Sequence, residues 1–207
     1  MSQVRLFAFT TTKGLMNPAQ IYSHRYWYTQ HMTSALVWDA IDTTHALVYQ
    51  SDTVLCRPLN FMVFSNYLFI GGASNAINER SIMYTHKMNG GFALHNVLHT
   101  RKCITQTLRI RLMEDSIWNN CRRQPVRAVD VMSFATDNGF TMCFGTGSSR
   151  TCPYGAHKPW VKAQRQNLSE FYEHCPNALK LCCKISPHRC KASCGDHAAR
   201  NNYTSRG

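Results

Sequence analysis

Cysteine is crowded into one half of this chain: of ten in 207 residues, only Cys56 precedes residue 101. Such crowding can be used in three ways, since thiols pair as disulfides, hold a metal, or stand free in a loose segment. The densest stretch is at the C-terminal end, where Cys175, Cys182, Cys183, His188, Cys190, Cys194 and His197 fall within 23 residues. Thiolate and imidazole are the ligands zinc prefers, and coordination can replace a missing apolar core. Cys183, Cys190, Cys194 and His197 form the zinc quartet that the order of residues admits. Only Cys190-x3-Cys194 and Cys194-x2-His197 have the short ligand spacing of structural zinc sites, and no Cys-x2-Cys pair occurs. The zinc expectation therefore rests on clustering, with free thiols and disulfides as its alternatives. Cys143-x8-Cys152-x4-His157 resembles half of a finger but lacks its next ligand, Lys158 standing there instead.

Crosslinks or metal matter here because core material is scarce. Leu, Ile, Val and Phe together supply 43 of 207 residues, close to the level at which a charged chain stays unfolded. Folding into one domain is within reach at this length, but with a small stability margin. Acidic residues are also rare, with eleven Asp and Glu against 23 Lys and Arg, so that formal charge is +12. Residues 1–100 carry a net +2 and residues 101–207 a net +10. A polyanion would thus meet the second half, where Arg109, Arg111, Arg122, Arg123, Lys180, Lys184, Arg189 and Lys191 are the candidate phosphate contacts for RNA or DNA. The plainer alternative is a solvated basic surface.

Local patterns predict a mixed α+β domain over residues 1–174 followed by a basic, Cys/His-rich tail over 175–207. Tyr22 to Ile41 reads as a helix crowded with aromatic residues. Phe61–Phe64 and Tyr67–Ile70 read as the arms of a hairpin turned at Ser65-Asn66. Leu108, Ile110 and Leu112 alternate with Thr107, Arg109 and Arg111, which predicts a strand over 104–112. Ala128 to Phe144 reads as a second hairpin around Asp137-Asn138-Gly139. Pro159 opens a helix through Glu173, and Pro176-Asn177 opens a short one through Lys184. Beyond Ile185 no large aliphatic side chain remains, which predicts a tail.

Several function classes lack their residues. Glu114-Asp115 is the one close pair of acids, and neighbours on a strand would face opposite ways. Gly145-Thr-Gly-Ser-Ser has no lysine to complete a phosphate-binding loop, and no signature marks a nucleophilic cysteine. The sequence leans away from an enzyme and indicates no small-molecule substrate. The uncharged run 58–78 is interrupted by Asn60, Asn66 and Asn75, whose amides argue against a membrane span. Leu6–Phe9 is too short for a secretory signal, which favours an intracellular placement and makes the sequons at Asn167 and Asn202 chance matches. The readings left are a nucleic-acid-binding or interaction protein with a metal-organised tail, an unselected or overlapping reading frame without activity, and a membrane-associated protein.

Overall fold

Aromatic and sulfur-bearing side chains take the place of the scarce aliphatics in the core. The computed structural model describes residues 28–74, 83–84, 87–107, 113–121, 124–137, 143, 151–158 and 171–185. Among them the largest fully buried side chains are led by Trp38, Phe64, Phe92, Phe134 and Phe171. Each such ring removes roughly 150–250 Å² from water, several times what an Ala contributes, so few residues build a core. Phe64 and Phe92 both pack on Phe134, with ring centroids 5.0 and 5.2 Å apart.

The architecture is mixed α+β. Its elements in chain order are α1 (Ala35–Asp39), β1 (His45–Tyr49), β2 (Thr53–Leu55), a 3-10 turn (Phe61–Phe64), β3 (Phe69–Ala73), β4 (Met83–Tyr84), β5 (Met88–Asn96), α2 (Val97–Thr107), α3 (Glu114–Cys121), β6 (Val126–Arg127), α4 (Ala128–Phe134), β7 (Ala135–Asp137), β8 (Gly155–His157) and α5 (Pro176–Ile185). Six strands form one sheet in the order β1-β5-β3-β7-β8-β2. The pairs β3–β7 and β7–β8 are parallel, while β5 runs against β1 and β3 and β2 runs against β8. Hence β1, β3, β7 and β8 end at one edge, where β2 and β5 begin. No helix among the described residues is long and apolar enough to cross a membrane.

Three local expectations are overturned. Phe61–Phe64 is a 3-10 turn rather than a hairpin arm, because the Asn60 side chain accepts the Met62 amide at 3.2 Å and caps it, leaving Phe64 buried and Met62 in solvent. Ile104–Thr107 belongs to α2, whose Cys103 and Ile104 are buried and whose Cys103 is bonded to Cys121 of α3. Residues 108–112 of that expected strand lie outside the described residues. Ala128–Phe134 is helical, since Ala128, Val131 and Met132 recur at i, i+3 and i+4 and are all buried, and only residues 135–137 continue as strand. Of the long aromatic helix, residues 28–32 and 35–39 are helical with a break at Thr33-Ser34.

The helix starting at Pro176 is present and runs to Ile185. Phe171, Tyr172, Cys175 and Ala178 form a second cluster with Val54 of β2 and Ala156 of β8. A Cys56–Cys175 disulfide fastens that cluster to the end of β2, closing a loop of 119 residues. Crosslinking so long a loop contributes about 4–5 kcal/mol in the chain-entropy account, a large share of a small margin.

Candidate functional site

Polar groups converge where the parallel strands end, the edge at which open sheets with helical connections bind ligands. Asp137 is the last residue of β7 and His157 the last of β8. The turn between β1 and β2 brings Gln50 and Asp52 there, and the start of β5 brings Asn89, Gly90 and Gly91. The first turn of α3 adds Glu114 and Asp115. Helix α3 is held in place by Asn119, whose carboxamide accepts the Met88 amide at 2.8 Å and donates to the Met88 carbonyl at 2.7 Å, and by the Cys103–Cys121 disulfide. Its two neighbouring acids therefore point to different partners, as a helix turn allows. Thr29 donates to Glu114 Oε2 at 2.5 Å, while Asp115 Oδ1 accepts the Gly90 amide at 2.6 Å and its Oδ2 the Asn89 carboxamide at 3.2 Å.

His157 is the centre of the group and is 2% exposed. Nδ1 lies 2.8 Å from Asp137 Oδ1 and Nε2 lies 3.2 Å from Asp52 Oδ1. The second contact has ion-pair distance without the angle of a good hydrogen bond. Lys158 Nζ stands 3.4 Å from the other oxygen of Asp52. Burial works against a charged imidazole, but the hydrogen bond to Asp137 and the nearby Asp52 carboxylate outweigh it and raise His157 above its ordinary value. Asp115 is also raised, but for a carboxyl that favours the neutral form. Burial first, then the neighbouring Glu114, push its carboxyl up to about 6, against the opposing Gly90 amide. Burial likewise raises the Tyr28 phenol, which is bonded to Gln50. Solvent reaches the group at Asp52 and Lys158, whose side chains are 14% and 38% exposed.

The structure thus separates roles among carboxylates. Asp52 and Asp137 face a cationic partner, whereas Asp115 takes its hydrogen bonds from an amide and a carboxamide. Two surface grooves, one beside Ile41, Val97 and Arg101 and one beside Leu68, Lys102 and Gln106, lie away from this cluster.

None of the residues expected to bind nucleic acid or zinc belongs to it. Arg109, Arg111, Arg122, Arg123, Arg189 and Lys191 lie outside the described residues, as do Cys190, Cys194 and His197. Lys180 and Lys184 share an exposed face of α5, one turn apart. Cys183 is disulfide-bonded, as is Cys182, and a disulfide sulfur has no thiolate to give a metal. Cys143 and Cys152 are bonded to each other, so the half-finger they open has no thiolates either. No described cysteine is free, and no group of three or more potential ligands placed to hold a metal occurs among the described residues. Asp115, Asp137 and His157 each stand in a local pattern of the sequence, but no pattern joins them to one another or to Asp52, the four being drawn from separate segments.

Comparison with curated proteins and with solved structures finds no match. A family model described as "Protein of unknown function (DUF5672)" does match, over residues 14–157, a stretch that runs from before Tyr28 to His157 and so holds the whole cluster apart from Lys158. Because that match covers well over half of the 207 residues, the chain belongs to this family.

Proposed function

We propose that the strand-end cluster is an acid–base site for a hydroxyl-bearing ligand, with Asp115 as the group that takes and returns a proton. The observation that carries this reading is the Asp115 carboxyl, buried with Glu114 next to it and held up to about 6, while Asp52 and Asp137 are already paired with His157 and Lys158. A base near neutrality combines the right protonation state with useful basicity, and pairs of acids pushed apart by their surroundings mark such roles. The ligand class follows from the remaining groups. Carboxylates accept from hydroxyls, the carboxamides of Asn89 and Gln50 both donate and accept, and the Tyr28 phenol does the same. Disulfides in the same domain support a working place in an oxidising compartment.

The nucleic-acid reading stands beside this one on charge alone. Its two described candidates, Lys180 and Lys184, sit on α5.

Saturation-transfer NMR with simple sugars and polyols tests the proposal. Contacts present in the native chain and lost in Asp115→Asn support it; no contact, or contacts indifferent to that substitution, overturn it. Stability supplies a second readout. A raised carboxyl costs stability as pH climbs from about 4 to about 6, because the folded state holds its proton longer. Asp115→Asn should therefore gain about 3 kcal/mol relative to the native chain as pH climbs from about 4 to about 8, on top of a pH-independent loss of the bond from Asn89.

A further inference from the structure

We propose that Lys158 regulates the proton distribution of this site: its ammonium, posted at the mouth, shares the Asp52 carboxylate with His157 and so limits how strongly the imidazole keeps its proton. The inference rests on the acid–base reading above and adds to it a control element one residue past the family match.

The backbone is the first reason. Lys158 has φ 46°, and it is the one non-glycine residue with positive φ among the described residues. That conformation costs an L-residue about 1 kcal/mol or more and persists where the surroundings impose it, often at functional sites. Here the imposing contact is the Lys158 amide, which donates to the Asp52 carbonyl at 3.0 Å just past the Thr53–His157 pairing of β2 and β8. Glycine would fit this turn without strain, so a lysine in it points to a use for the side chain.

The side chain is the second reason. Asp52 spends one oxygen on His157 Nε2 at 3.2 Å and the other on Lys158 Nζ at 3.4 Å. His157 is faced by Asp137 from β7, by Asp52 from the β1–β2 turn, by Lys158 from its own strand end and by the charge of Asp115 from α3, with Gly91 of β5 against its ring. Lys158 is the one member of this set that opposes imidazole protonation by charge, both by repulsion and by sharing Asp52. Removing the ammonium leaves Asp52 to His157 alone, so the imidazole should hold its proton to higher pH.

Three substitutions separate charge from backbone. Lys158→Gly removes the ammonium and the strain, Lys158→Ala removes the ammonium only, and Lys158→Arg keeps the charge. The His157 ring protons, followed by NMR against pH in the full chain, should show an upward midpoint shift in the Gly and Ala variants and a near-native midpoint in Arg. Lys158→Gly should also unfold at higher urea than Lys158→Ala. An unmoved His157 midpoint in Lys158→Gly, or an equal shift in all three variants, overturns the proposal. The native titration read at the Asp115 carboxyl keeps the two ideas apart: a midpoint near 4 there defeats the acid–base reading, whereas the Lys158 proposal fails only at His157.

Discussion

Two buried histidines occupy opposite ends of the same sheet, and their neighbours drive them in opposite directions. His95 lies at the end where β3 begins, paired with Phe69, and its ring sits 5.0 Å from Trp38, 4.8 Å from Phe69 and 5.4 Å from Trp118. Its polar contact is a long 3.4 Å one from Nδ1 to Thr100, and Nε2 has no partner. Burial, aided by the charge of His99, lowers it to about 3, so it is a neutral core residue. His157 is as deeply buried but lies between two carboxylates, and they raise it. Burial alone decides against charge; a pair of anions within about 3 Å reverses the decision. One end of the sheet is therefore held by packing and the other by charges that can exchange protons.

The largest expected effect lies at the apolar end. A base lowered by folding makes the unfolded chain bind more protons between about pH 6.5 and pH 3, so stability must be lost as pH is lowered across that window. The shift corresponds to about 5 kcal/mol at its acid limit, comparable to the whole margin of many domains. His95→Leu keeps the volume nearly constant and removes this titration, so its urea midpoint should fall less than that of the native chain as pH is lowered across the window, the other titrating groups being common to both. Identical acid limbs for both chains would show that His95 is not the group responsible.

At the charged end the sign reverses. A base raised by folding stabilises below its unfolded value and loses that contribution as pH rises through its folded value. Asp137→Asn removes the carboxylate at 2.8 Å from Nδ1 and strands a buried cation, a change that costs roughly 3–5 kcal/mol in comparable pairs. The penalty should be greatest near pH 5 and shrink above the His157 midpoint, which itself should move down. A penalty that ignores pH would mean that the pair is held as a neutral hydrogen bond.

How much of this was legible in the sequence depends on sequence distance. Helix α5 was readable because Pro176-Asn177 begins it and an apolar stretch follows, all within ten residues. The α+β class was readable from the mixture of periods. Ile104–Thr107 was misread because alternation in 107–112 suggests a strand, whereas the Cys103–Cys121 bond and the burial of Cys103 and Ile104 belong to a helix pair. Pairing among cysteines is not deducible from spacing, and the zinc expectation treated Cys183 as a free ligand for that reason. The core looked thin because Leu, Ile, Val and Phe were counted by number and Trp left out, while the large rings of Trp38, Phe64, Phe92 and Phe134 fill it. Asp52, Asp115, Asp137 and His157 are separated by 63, 22 and 20 positions, so only the sheet order brings them together. In sequence Glu114-Asp115 reads as neighbours facing opposite ways on a strand; on the first turn of α3 the same pair serves Thr29 and Gly90 separately.

The smallest expected effect tests whether shape, and not only charge, keeps the two histidines different. A Cβ added at Gly91 would lie 2.7 Å from Cδ2, Cε1 and Nε2 of His157, closer than any relaxed contact. The ring has little room to yield, being pinned by Asp137 on one nitrogen and faced by Asp52 on the other. The Gly91 backbone is fixed as well, its amide bonded to Asn89 at 2.6 Å and its carbonyl to Gln50 and Thr53. Gly91→Ala should cost about 1–3 kcal/mol, as overpacked cores do. It should also lower the His157 midpoint by moving the ring off its carboxylates, so that this histidine comes to behave more like His95. Gly155→Ala is the matched control, because its Cβ would meet Phe92 at 2.6 Å and leave the imidazole's partners in place. Equal losses of stability with a titration change in Gly91→Ala alone would show that the glycine at this contact is what lets the imidazole sit between its two anions.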